Sequence, residues 1–128
     1  MWSQMINSSD TLRQRVGLSL LNMIVVGIDG FDSPWRSQTM AAFLDVLWDN
    51  AFGNYRELID GVASNAAMAY YLTFLGNRRA NATTGSVPDE NFARELMQLF
   101  TIGLYQLNPD GTQVLSGGKP VETYTQAD

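Results

Sequence analysis

Between Pro88 and Leu96 the chain reads Pro-Asp-Glu-Asn-Phe-Ala-Arg-Glu-Leu, which sets three carboxylates, an amide and a guanidinium within two turns of a helix. Two carboxylates whose surroundings push their pKa values apart can serve as general acid and general base. Glu90 and Glu95 are the pair for that work, with Arg94 to orient them and Asn91 between. The same run has a plainer reading. Asp89 and Glu90 are favourable charges at a helix N-terminus. Glu90 and Arg94 stand at the i,i+4 spacing of a helical ion pair, and Glu95 is free to neutralise an arginine on another helix, for which Arg15 is the candidate. Ion-pair networks imitate catalytic clusters, and of the two readings the structural one is preferred.

Other constellations are weaker. The loop Gly76-Asn77-Arg78-Arg79 has the guanidinium forks that suit phosphate, sulfate or carboxylate, although a basic loop end is more commonly only solvated. Asn108, Asp110 and Gly111 echo a calcium loop, but Gln106 and Gly117 stand where that loop needs an acid at its first position and a glutamate at its twelfth, which excludes it. Tyr70-Tyr71 and the pair Trp35 and Trp48 offer stacking surfaces for a sugar, yet aromatic residues on helices are more often core. Asn7-Ser8-Ser9 and Asn81-Ala82-Thr83 are glycosylation sequons by pattern. The chain has neither cysteine nor histidine, so thiolate metal sites, disulfides and the usual base of a nucleophilic triad are excluded. The residues call for no metal and no cofactor.

The elements that must position these groups are mainly helical. Asp10 to about Val26 reads as a first helix, with Leu12, Val16, Leu20, Met23 and Ile24 on one face. Beyond Gly17 it is apolar almost all round and is expected to be buried. Its polar stripe is Arg15, Ser19 and Asn22, and a buried arginine needs a carboxylate. Ser33 and Pro34 form a helix start, and the second helix runs to about Trp48, with Ala41, Leu44, Leu47 and Trp48 inward. Asn54 caps a short third helix from Tyr55 to about Ala63. Asn65 caps a fourth, Ala66 to Leu75, closed by Gly76. Asp89 caps a fifth, to about Ile102, closed by Gly103. After it, Asn108-Pro109-Asp110-Gly111 is a turn between extended runs, and Ser116 to Lys119 leads to Val121–Tyr124. The expected fold is a bundle of about five helices with a C-terminal β-hairpin or β-arm. As a domain plan this gives a helical region over 1–103, the arm over 104–124 and a helix start over 125–128, all in one domain. Thr125 to Asp128 has the form of a capping box with no helix behind it, which implies a chain cut from a longer one.

The 128 residues suit one domain. Only 16% are charged against 45% hydrophobic, where roughly a quarter charged is ordinary, so part of the apolar surface is expected to face a missing neighbour. A net charge of −5 argues against nucleic acid, which needs a clustered basic surface. The longest apolar run, from Gly17 to Ile28, is too short to span a bilayer, which takes about 20 residues.

Several stretches together resemble a known bacterial family. They are Leu12-Arg13-Gln14-Arg15-Val16, Asn50 to Arg56, Ala67-Met68, Tyr71-Leu72, Gly76-Asn77-Arg78, Tyr124 to Asp128 and, most of all, Pro88 to Gly111. The family is the uncharacterised domain of unknown function 1800. The resemblance implies a parent of several hundred residues whose flanking segments are this chain's partners, and a place in the periplasm or cell envelope. It brings no established activity. Carried over residue by residue, it points to Asn77, Arg78, Glu90, Asn91, Arg94 and Glu95. Many relatives have His-Pro before Ala-Met, where this chain has Asn65-Ala66. Three functional readings follow: a structural and interaction segment of a larger exported protein, an envelope hydrolase working through carboxylates on polysaccharide, and a binding module using Tyr105, Tyr124 or Trp35.

Overall fold

A computed structural model describes residues 2–29, 31 and 34–125. The chain is mainly α-helical with a small β-hairpin, as its patterning predicts. It divides into two compact units, Met1–Asp89 and Glu90–Asp128.

The first unit holds five helices, α1 (Trp2–Asn7), α2 (Thr11–Met23), α3 (Arg36–Asp49), α4 (Tyr55–Ala63) and α5 (Ala66–Tyr71). The six-residue α1 was not expected. Fewer than two turns give little periodicity to read, and so short a helix depends on packing, here through the buried Met5. The core of the unit is built from Phe43 and Leu47 of α3, Val62 of α4, Met68 of α5 and Ile24.

The burial of α2 is a correction. Gly17 is its buried position, while Leu12 and Met23, expected inward, are 65% and 67% exposed. The helix also ends at Met23 rather than near Val26. Ile24, Val25 and Val26 are β-branched, which disfavours helix. They alternate buried, exposed, buried, as extended chain does. Contact with α3 comes instead from shape. A Cβ on Gly17 would lie 2.6 Å from the indole of Trp48, so the missing side chain is what lets the ring approach. Beside it the Trp48 indole N–H donates to Gln14 Oε1 at 2.7 Å, and Arg13 donates to the Trp48 carbonyl at 2.7 Å. That carbonyl lies at the C-terminal end of α3, where a cation is favourable. Arg13 also lies 5.0 Å from the Phe52 ring centroid.

On α3 the inward residues are Phe43 and Leu47, with Leu44 and Trp48 half-buried and Ala41 exposed. The proposed Ser33 cap lies outside the described residues, as does most of the capping box over 125–128. The two asparagine caps form as expected. Asn54 Oδ1 accepts from the Glu57 amide at 2.9 Å, and Asn65 Oδ1 accepts from the Ala67 amide at 2.9 Å. α5 stops at Tyr71, four residues early, because Thr73 takes a left-handed conformation at φ 60°.

The second unit carries α6 (Asn91–Phe100) and a hairpin of β1 (Leu115–Ser116) and β2 (Lys119–Pro120), paired antiparallel with Ser116 opposite Lys119. Gly117 and Gly118, at φ 58° and 79°, make the two-residue turn that positive φ at both positions allows. α6 is closed at Gly103 (φ 72°), whose amide donates to the Met97 carbonyl at 3.0 Å. The arm continues as a small ladder. The Gln106 amide donates to Val121 O, the Val114 amide to Gln106 O and the Val121 amide to Val114 O, each at 2.9 Å. The Asn108–Gly111 turn forms as expected, its Gly111 amide donating to Asn108 O at 2.9 Å. Asp110 Oδ1 accepts from the Thr112 amide and hydroxyl at 3.0 and 2.7 Å.

Candidate functional site

The sequence candidates fall into two groups, one in each unit. Arg15, Asn77 and Arg78 belong to the first, and Glu90, Asn91, Arg94 and Glu95 to the second.

In the first unit Arg15 is exposed, so the premise of a buried guanidinium in need of a carboxylate does not hold. The other members of its stripe satisfy themselves locally. Ser19 donates to the Arg15 carbonyl at 3.0 Å and Asn22 to the Leu18 carbonyl at 3.1 Å. Its neighbours Arg13 and Gln14 do the long-range work, and sequence reasoning passed over them. The only signal was their position next to Gly17 in the helical turn.

Asn77 has a definite role. Its Oδ1 accepts from the Asp89 amide at 2.9 Å and its Nδ2 donates to the Asp89 carbonyl at 2.6 Å. One side-chain amide thus pairs with both the backbone N–H and the backbone C=O of a single residue, as a neighbouring antiparallel strand would, and closes the loop between them. Asp89 was expected to cap a helix. Its carboxylate accepts from the Thr73 hydroxyl at 2.6 Å, and Glu90 holds the position just before α6. A β-branched residue at positive φ is strained, and such strain persists only when the surroundings hold it. Here the Thr73–Asp89 bond and the Asn77 clasp do so. Within the loop Asn81 and Ser86 form a bridge, and the Asn81 side chain accepts from the Thr83 amide at 2.9 Å.

The clasp borders an open hollow of about 270 Å³ lined by Thr73, Asn77, Arg78, Ser86 and Asp89, with Leu75, Gly76 and Val87. Arg78 is exposed there. One guanidinium and one carboxylate share the rim, together with hydroxyl and amide groups. That mixture suits a polar, hydrogen-bonding ligand better than the simple anion that arginine forks alone would suit.

In the second unit Arg94 Nη2 donates to Asn91 Oδ1 at 2.7 Å and to Glu95 Oε1 at 3.1 Å. The Glu95 side chain is 19% exposed and that of Arg94 48%. The structure therefore brings Asn91, Arg94 and Glu95 together on the first turns of α6.

Among the described residues no polar or charged side chain is buried, and no cluster of carboxylates is arranged to hold a metal. Two carboxyl groups are held below the usual range by hydrogen bonds. Asp10 is lowered by Ser8 and then Gln14, and Asp110 by Thr112. Both are exposed, and Asp110 is accounted for by its turn. Of the aromatic candidates, Tyr70 packs on Phe31 with ring centroids 5.4 Å apart and Trp48 lies over Gly17, which makes both structural. Trp35 and Tyr71 are exposed. No described helix is long and apolar enough to cross a membrane.

No curated protein and no solved structure matches the chain. The family model described as Protein of unknown function (DUF1800) matches residues 1–128, and the chain belongs to that family.

Proposed function

We propose that the chain is a structural and interaction part of a larger exported bacterial protein. The supporting observation is the exposure of several large apolar side chains in the first unit. Leu12 and Met23 of α2, with Ile6 of α1 and Trp35 before α3, are large side chains left in solvent. Large apolar side chains left facing water are candidates for cover by another surface. The polar network supports the same reading. Glu95 is already engaged by Arg94, and each hollow described in the chain is lined by at most one carboxylate.

The test is the double substitution Leu12→Ser, Met23→Ser, made both in the isolated chain and in the full-length parent. The isolated chain should keep its melting temperature, since both side chains are exposed. The parent should lose several degrees and become easier to digest. A parent indifferent to both substitutions would remove the proposal.

The second reading, a carboxylate-based envelope hydrolase acting on polysaccharide, draws on the density of acids at the start of α6. Glycoside hydrolysis needs two carboxyl groups flanking one bond. Assaying the parent on glycan and ester substrates decides it, because activity that survives Glu90→Gln and Glu95→Gln excludes these residues.

A further inference from the structure

The second unit contains a smaller hollow, used by neither the structural nor the hydrolase reading, where two of the tyrosines of the binding-module reading meet. Tyr105 and Glu122 oppose each other across an antiparallel bridge, and Tyr124 stands two residues beyond Glu122. Cross-strand partners share a face, and Tyr124 joins Tyr105 and Glu122 in lining one hollow. The result is an open hollow of about 180 Å³ lined by Leu104, Tyr105, Glu122, Tyr124 and Thr125. Glu122 is exposed, and among the described residues its carboxylate is in no ion pair.

A hollow lined by one carboxylate and two phenol side chains has the chemistry of a site for an organic cation. The ring faces attract positive charge, and the carboxylate accepts charge-assisted hydrogen bonds from N–H donors. An anion would be repelled by Glu122. A neutral sugar could use the rings but would leave the charge unanswered. The net charge of −5 also draws cations towards the chain. We propose that Tyr105, Glu122 and Tyr124 bind an alkylammonium or guanidinium group, carried either by a lysine or arginine side chain of a peptide or by a free polyamine.

The experiment is a titration of the 128-residue chain followed by amide NMR shifts. n-Butylammonium and n-butylguanidinium are the probes, with n-butanol and a methyl glucoside as neutral controls. Saturable shifts at Tyr105, Glu122 and Tyr124 with the cations are expected. Affinity should weaken as salt is raised, because an exposed ion pair is screened. Glu122→Gln, which keeps the shape of the side chain, should weaken binding at least about fivefold. Its amide spectrum away from the hollow checks the fold. The salt dependence and the neutral controls are read on the unaltered chain and need no variant. A lysine tripeptide compared with spermidine then separates the two sources. Equal or tighter binding of the neutral controls overturns the proposal, as does a cation affinity unmoved by both salt and Glu122→Gln.

Discussion

At Gly17 a single hydrogen atom decides how two helices meet. The Trp48 ring occupies the space of the absent Cβ, and that ring is further held by its bond to Gln14. Gly17→Ala would gain helix propensity of about 0.5–1 kcal/mol but would overpack a contact where about 1–3 kcal/mol is typical. A net loss of roughly 1–2 kcal/mol is expected from the difference of these two terms, seen as a lower midpoint in urea. An unchanged or raised midpoint would mean that Trp48 moves aside at little cost. Arg13 illustrates the same scale. It reaches the Trp48 carbonyl, while Arg15, two places on and therefore turned to another side of the helix, is exposed.

The clasped loop from Asn77 to Asp89 belongs to the scale of elements. Its two hydrogen bonds are exposed or nearly so, and such bonds each contribute on the order of 0.5–1.5 kcal/mol. Asn77→Ala should therefore lower overall stability only modestly. The sharper effect is local, since Arg78 and Arg79 lie in an exposed stretch whose ends the clasp ties together. Trypsin should cut after these arginines several times faster in the variant. Asn77→Asp should fall between the wild type and the alanine variant, because a carboxylate still accepts from the Asp89 amide but has no hydrogen to donate to its carbonyl. Cleavage at the wild-type rate in both variants would show that the loop is held by other bonds. The asparagine caps of α4 and α5 lie on the same scale and were legible in advance, since a cap is satisfied two or three residues away. The partnership of Asn77 with Asp89 spans twelve residues and leaves no local pattern.

Over the whole molecule the two units differ in how much they bury. The first has a contiguous set of buried apolar side chains, whereas in the second Phe100 is the buried one among the described residues. Regions with few buried apolar contacts open at lower free energy. Hydrogen exchange should accordingly be slowest in α3 and α4 and much faster over residues 104–123, despite the ladder bonds there. Protection in the arm equal to that of α3 would contradict this ordering.

The sequence by itself determined the helical class, the asparagine caps, the closure of α6 at Gly103 and the turn at Asn108–Gly111. It also carried the family, through motifs along its whole length. Each of the structural features is decided within a few residues, by a side chain that reaches its own backbone or by a glycine that permits positive φ. Only the tertiary structure decided that α2 docks through Gly17 rather than through its most apolar stripe. The same is true of the burial of Phe43 in place of Ala41, of the bond from Asp89 to Thr73 and Asn77, and of the face shared by Tyr105, Glu122 and Tyr124. Periodicity shows that a helix has an apolar side. Which part of that side is covered depends on the shape of a partner many residues away, as the indole of Trp48 is for Gly17.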